Sequence, residues 1–136
     1  MGKTVAEKLG LKTGMAGWAL SLPPGMSGLE GFAQGASPHA PPDVIIAFVA
    51  SVAAVAPALT ATQPHYRRGK ALWFAYPKKT GAIRTDITRD RGWEAVKAAG
   101  LLPVSQVALD DTWSALRFRV RDEIKVLTRK SETVGR

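Results

Sequence analysis

The hydrophobic pattern of the chain is dominated by short apolar runs. Residues 44–50 and 71–76 are continuous apolar runs, rich in β-branched and aromatic side chains respectively. Such runs are typical of parallel strands that are covered on both faces. Apolar segments over residues 16–22, 104–109 and 113–120 predict three further strands. The pattern therefore predicts five strands in all.

The N-terminal segment carries a helix signal of its own. Thr4 and Glu7 have the spacing of a capping box, in which each side chain binds a backbone amide of the other residue. A short helix is predicted to follow Thr4 and to stop at Gly10, since glycine commonly ends helices.

Two longer helices are predicted between the strands. Residues 51–62 form the first, and Pro57 should either kink it or mark its true start. Thr85 or Asp86 should cap the second, which is predicted to run to Ala99 and to close at the following glycine.

The remaining segments connect these elements. Residues 26–43 are rich in Gly, Pro and Ala and predict a loop with at most one irregular turn of helix, and residues 63–70 predict a basic loop. Residues 110–112 join the last two strands as a hairpin. Strands alternating with helices imply right-handed crossovers and a parallel sheet. We predict a single α/β domain over residues 1–120 and a polar tail over residues 121–136, for which a short helix and disorder both stay open.

Several short segments of the chain are distinctive. They are Lys8-Leu9-Gly10-Leu11-Lys12, Asp43-Val44-Ile45-Ile46, Leu72-Trp73, Tyr76-Pro77-Lys78-Lys79, Thr88-Arg89-Asp90, Ala99-Gly100-Leu101 and Trp113-Ser114-Ala115-Leu116-Arg117-Phe118. Together they resemble a family of small bacterial proteins of unknown function over roughly residues 4–120. The Tyr-Pro-Lys-Lys and Trp-Ser segments are the most specific.

The resemblance implies a fold but no activity. The expected architecture is a Rossmann-like three-layer sandwich that looks like a truncated methyltransferase, with a mostly parallel five-stranded sheet ending in an antiparallel hairpin. The implied order is first, second, third, fifth and fourth strand. Arg117, Arg119 and Arg121 alternate along the fifth strand, so one face of that strand should be solvated. Either an uncovered sheet face or an edge position would explain this.

Charge and composition exclude some kinds of chemistry. The 136 residues contain 19 Lys and Arg against 11 Asp and Glu, and residues 65–136 carry the whole net charge of +8. The absence of cysteine excludes disulfides, thiolate metal sites and a cysteine nucleophile. His39 and His65 lie in separate loops without nearby carboxylates, so no metal site is expected.

Membrane insertion and a nucleotide-type cofactor site are both disfavoured. Residues 44–63 carry no charge, but they change from a bulky run to an Ala-rich run, which a buried strand and a helix explain better than a membrane span. The start of the chain is polar, and a cytoplasmic protein is expected. Gly25, Gly28 and Gly31 lack the G-x-G core of a dinucleotide loop, so no cofactor is predicted.

Candidate functional residues follow from the predicted topology. Ligands of open parallel sheets bind beyond the carboxyl ends of the strands, and lysines beside a helix start favour an anion. We therefore predict a site for an anionic small ligand, although the same charges could form a structural ion network. Trp18, Trp73 and Trp93 are expected in the core. Trp113 could cover the pocket, although core packing is favoured for so large an apolar side chain. The predicted site residues are Tyr76, Lys78, Lys79, Thr80, Asp86, Arg89, Asp111 and Trp113.

Two other functions stay open at this point. One is a methyltransferase-like enzyme that binds its cofactor unconventionally. The other is a basic module for nucleic acid or an acidic protein, for which charge alone would give salt-sensitive binding without sequence specificity. A non-catalytic protein is favoured over an enzyme because no hydrolase or metal motif is visible. The oligomeric state is left open.

Overall fold

A computed structural model describes residues 4–24, 26–35, 38, 40–67, 69–79 and 83–120. The helices are short except for the second, and a single 3₁₀ turn (Gln63–His65) follows that helix. The elements in chain order are α1 (Val5–Lys8), β1 (Gly17–Leu20), β2 (Phe32–Gln34), β3 (Val44–Phe48), α2 (Val52–Thr62), β4 (Ala71–Pro77), α3 (Glu94–Ala98), β5 (Leu101–Ala108) and β6 (Trp113–Val120).

All described strands belong to one sheet of six, in the order β2-β1-β3-β4-β6-β5. The first four strands in that order are parallel, and β6 is antiparallel to both of its neighbours. The order predicted for five strands is confirmed, including the last strand lying between the third and the fourth. The number of strands was wrong, because β2 adds a sixth at the edge. The fold is a mixed α/β, Rossmann-like arrangement.

The sixth strand lies in the segment that the sequence predicts as a loop. β2 has only three residues, of which Phe32 is buried and the other two are exposed. It pairs with β1 through Gly17, where a Cβ atom would lie 2.7 Å from the Phe32 ring. The strand is therefore formed by contact with β1, and three residues are too few to produce a periodic signal.

The third helix is much shorter than predicted, because residues 83–93 form bends and irregular backbone instead of helix. Thr85 Oγ1 accepts a hydrogen bond from the Ile87 amide at 3.1 Å, and Thr88 Oγ1 accepts one from the Asp90 amide at 3.3 Å. Such local side-chain bonds compete with the helical backbone ladder. Gly92 has a φ of +105°, which also interrupts a right-handed helix.

The sheet is covered on both faces, which gives the expected three layers. One face, here the helix face, packs against α2 and α3 and contains Trp18 and Trp93. The opposite face packs against α1 and the segments around it, and contains Trp73 and Trp113. We call it the N-terminal face. The predicted capping box of α1 is present, with Thr4 and Glu7 binding each other's amides.

The arginines of β6 lie on an interior strand. Arg117 and Arg119 are half-buried, and their spacing places them on the same face as Trp113 and Ala115. Because β6 lies between β4 and β5, the explanation by an edge position is wrong. Arg121, and with it the rest of the predicted tail, lies outside the described residues.

The uncharged segment is a strand followed by a helix, as predicted. It comprises β3, which is buried along its whole length, and α2, which begins at Val52. Pro57 therefore lies inside the helix and does not mark its start. Among the residues that the structure describes, no helix has the length and apolar character needed to cross a bilayer.

Asp43 joins the amino ends of three neighbouring strands. Its Oδ2 accepts a hydrogen bond from the Ala16 amide at 2.9 Å, and its Oδ1 lies 3.1 Å from Lys70 Nζ and 3.5 Å from an Arg67 guanidinium nitrogen. The hydrogen bond from Ala16, followed by that from Lys70, holds the pKa of Asp43 below its ordinary value of 3.8. The carboxylate thus fixes the entry of the chain into the sheet.

These contacts predict an acid-dependent stability. Because the folded-state pKa is lowered, the contribution of Asp43 is present above pH 3.8 and is lost as the pH falls through the folded-state pKa. We expect Asp43→Asn to lower the melting temperature at neutral pH, and the difference from the unmodified protein to shrink on acidification. Thermal melts across an acidic pH series measure this. Asp111→Asn is the control, since Asp111 is an exposed hairpin residue; a difference that stays constant with pH would contradict the assignment.

Candidate functional site

The connection between β4 and α3 is anchored to the core at two points. Ile87 is fully buried on the helix face, and the Trp93 indole N–H donates to the Thr88 carbonyl at 2.8 Å. The Thr88 and Arg91 backbones also bond to each other, with Thr88 N donating to the Arg91 carbonyl at 3.0 Å. Residues 83–93, which we call the anchored loop, are therefore held in a defined shape although they contain almost no regular structure.

Asp86 connects this loop to the start of α2. Its Oδ1 accepts a hydrogen bond from the Val52 amide at 2.9 Å, whereas Ser51, at the N-cap position, makes no side-chain cap bond. A carboxylate here satisfies a free amide and complements the positive end of the helix dipole. The sequence predicts Thr85 or Asp86 as the cap of the helix that follows, but the N-cap position of α3 is Trp93. The structure corrects this, since Asp86 caps the helix that precedes it in the chain.

A half-open cavity of about 350 Å³ lies between the anchored loop and Lys79, beyond the end of β4, and is here called the loop cavity. Among the described residues, Lys79, Arg84 and Arg91 bring three positive charges to its wall, and Asp86 is the one carboxylate. Both ion pairs that the structure shows between described residues involve Asp43, at the other end of the sheet. The described residues that line it are Lys79, Ile83, Arg84, Thr85, Asp86, Ile87, Thr88 and Arg91.

A second, smaller cavity of about 140 Å³ lies between the anchored loop and the outer strand β5. Arg89 and Asp90 line it together with Ser105. The Tyr76 hydroxyl lies in the same region and accepts a hydrogen bond from Gln106 Nε2 at 2.8 Å. Burial raises the pKa of Tyr76 above its ordinary value of 10.0, and the positive charge of Arg89 acts in the opposite direction. We call this space the edge cavity.

The eight predicted site residues are distributed over several places. Lys79 and Asp86 line the loop cavity, and Arg89 lines the edge cavity. Tyr76 is buried, with its ring 5.7 Å from that of Trp93 on the helix face. Thr80 lies outside the described residues.

The other three predicted residues surround the hairpin. Trp113 is buried on the N-terminal face, 5.2 Å from the Phe48 ring. Trp113 pairs with Pro77, which is one position beyond Tyr76. Because successive strand residues point to opposite faces, Trp113 and Tyr76 lie on opposite sides of the sheet. Lys78 donates its backbone amide to the Thr112 carbonyl at 2.7 Å, and Asp111 is exposed in the turn.

Four polar residues that line the loop cavity, Arg84, Thr85, Thr88 and Arg91, are not among the eight predicted site residues. The two arginines supply two of the three positive charges on the described lining, and each threonine supplies a hydroxyl. A signal for them existed in the sequence, since residues 67–91 carry 8 basic and 2 acidic side chains, a net charge of +6. The predicted helix pointed away from a common site for these basic side chains, because helical geometry would have directed them to different sides of the helix axis.

No metal-binding group is found in the part of the chain that the structure describes. His65 packs edge-on against Trp18, with 5.3 Å between the ring centroids, and His39 lies outside the described residues. Gly28 approaches Val5 closely at a φ of +92°. β2 ends at Gln34 and is followed by Gly35, so the edge strand does not end in a carboxylate.

The strand order and the two covered faces define a Rossmann-like α/β domain with a cationic cavity beyond the end of β4. No protein-family model matches the sequence, and no curated protein matches it. Among solved structures, the LepI complex with SAM is similar, with a TM-score of 0.46 and 16% sequence identity. The similarity covers 85% of this chain and 39% of that one, so this chain spans well under half the length of its neighbour.

Proposed function

We propose that this protein is a non-catalytic domain that binds an anionic small molecule in the loop cavity. The observation that carries the proposal is the convergence of Lys79, Arg84 and Arg91 on one cavity whose single carboxylate already accepts a hydrogen bond from α2. Like charges that share a wall repel each other, and an anion between them relieves that repulsion. The position beyond a strand carboxyl end agrees with the usual place of ligands in open α/β sheets.

Binding is favoured over catalysis by the chemistry of the lining residues. In the part of the wall that the structure describes, the polar groups are cations, two threonine hydroxyls and Asp86, without a histidine. Asp86 is bound to the Val52 amide, and each threonine hydroxyl accepts a hydrogen bond from the anchored loop itself. A nucleophile with an adjacent free base, which covalent catalysis needs, is therefore not formed by these side chains.

Thermal-shift measurements at constant ionic strength test this function. Inorganic phosphate, succinate and acetate are compared with sodium chloride on the unmodified protein and on a Lys79→Gln/Arg91→Gln variant. We expect at least one multivalent anion to raise the melting temperature of the unmodified protein, with little effect on the variant. A stabilising ligand at 100 times its Kd contributes about 2.7 kcal/mol, which is readily measured.

The control is Lys97→Gln, which removes an exposed positive charge on α3 outside the cavity. It should respond to anions as the unmodified protein does. The proposal fails if no anion stabilises the protein at millimolar concentration, or if the double variant and the unmodified protein respond equally.

A further inference from the structure

We infer that the ligand of the loop cavity is a phosphomonoester of a small organic molecule, with its phosphate held by Lys79, Arg84 and Arg91. This inference rests on the proposed function and names the ligand class. Three features of the cavity support it: its charge, its hydrogen-bond donors and its size.

The charge of the lining favours a dianion. Lys79, Arg84 and Arg91 contribute three positive charges and Asp86 contributes one negative charge, so the described residues of the wall carry a net charge of +2. The Asp86 carboxylate is directed to the Val52 amide, 2.9 Å away. A phosphomonoester carries a charge of about −1.5 to −2 at neutral pH, which matches this balance, whereas a monocarboxylate would leave a positive charge uncompensated.

The donors favour a group with three acceptor oxygens. Guanidinium groups donate pairs of parallel hydrogen bonds to phosphate oxygens, and the cavity has two of them beside one ammonium. The hydroxyls of Thr85 and Thr88 accept hydrogen bonds from the Ile87 and Asp90 amides. Each hydroxyl proton therefore remains for donation to a ligand. Since the Val52 amide already donates to Asp86, we expect the phosphate to be bound by side chains and not by backbone amides at the start of α2.

The size and one apolar wall favour an ester over inorganic phosphate. The volume of about 350 Å³ lies within the range of small-molecule sites, which begins near 300 Å³. Ile83 is half-buried in the lining and provides an apolar surface for the organic part of the ligand. Ile87 and Trp93 hold the loop from the core side, so much of this shape exists before a ligand binds.

Isothermal titration calorimetry with phenyl phosphate, inorganic phosphate and benzoate tests the inference. Phenyl phosphate should bind most tightly, and benzoate, which has the same ring and a single charge, should bind at least tenfold more weakly. The affinity for phenyl phosphate should also fall as the pH drops below about 6, because its phosphate then takes up a second proton. Benzoate binding should not show this pH dependence. Arg91→Gln should weaken phenyl phosphate at least tenfold, Arg91→Lys should restore part of the loss, and Lys97→Gln should have no effect.

The outcomes separate the two proposals. If benzoate or succinate binds as tightly as phenyl phosphate, the phosphate class is wrong and the anion-binding function stands. If inorganic phosphate binds as tightly as phenyl phosphate, the organic part of the ligand makes no contact, and the assignment of the ligand as a phosphomonoester is wrong. If none of these anions binds the folded protein, the proposed function and the inference both fail.

Discussion

Trp93→Ala is expected to lower the free energy of unfolding by about 3–5 kcal/mol, the usual cost of removing a large aromatic side chain from a core. Trp93 is 1% exposed, and its ring lies 5.2 Å from Phe118, 5.7 Å from Tyr76 and 5.9 Å from Phe74. Since whole domains are stable by about 5–15 kcal/mol, this loss removes a large part of the total. Urea denaturation followed by far-ultraviolet circular dichroism measures it without relying on tryptophan fluorescence.

The same substitution should also loosen the loop cavity. The Trp93 indole donates a hydrogen bond to the carbonyl of Thr88, which lines that cavity. Trp93→Phe keeps an aromatic ring but leaves this carbonyl without the indole donor, which costs about 1–3 kcal/mol. We expect its stability to lie between those of Trp93→Ala and the unmodified protein. A Trp93→Ala protein with an unchanged unfolding midpoint would show that the ring cluster does not hold the anchored loop.

Gly92→Ala is expected to destabilise the protein by about 2–4 kcal/mol, through two separate effects. At the φ of +105° an alanine side chain is strained. Its Cβ would also lie 2.9 Å from side-chain carbons of both Ile87 and Val52, which are packed in or against the core of the helix face. Thermal and urea unfolding of the variant measure the sum of the two effects.

Gly100→Ala separates the strain from the overlap. Gly100 has a similar φ of +90°, but a Cβ atom at that position would have no neighbour within 4 Å. It should therefore show the backbone cost alone, about 1–2 kcal/mol. Equal losses in the two variants would contradict the close contact of Gly92 with Ile87 and Val52. A larger loss for Gly92→Ala is expected, because those neighbours have to shift.

Several elements could be predicted because their signals are local. The apolar runs that became β3 and β4 are buried on both faces, which leaves no polar position to break the pattern. The capping box of α1 is a contact between residues three positions apart, so it is visible in any sequence. The order of the sheet could be expected only from the resemblance, because pairing between distant strands leaves no periodic mark.

The candidate site was predicted only in part, for a physical reason that concerns the anchored loop. Lys79 was predicted because it closely follows an obvious strand. Arg84 and Arg91 were missed because a cap signal at residues 85–86 and a closing glycine predicted one helix up to Ala99, whereas the structure has helix only over Glu94–Ala98. Ile87 and Trp93 pack into the core of the helix face, where only Trp93 was expected. The backbone around Ile87 is held in bends by hydrogen bonds to the side chains of Thr85 and Thr88.

The sequence by itself determined the α/β class, the buried central strands, the final hairpin and the concentration of positive charge in residues 67–91. Tertiary structure alone decided the edge strand β2, which exists because Phe32 packs over Gly17. It also decided the register that pairs Tyr76 with Ser114 and Pro77 with Trp113, and thereby separates Tyr76 and Trp113 onto opposite faces. Local patterns specify which residues are buried, whereas only long-range pairing specifies which buried residues meet.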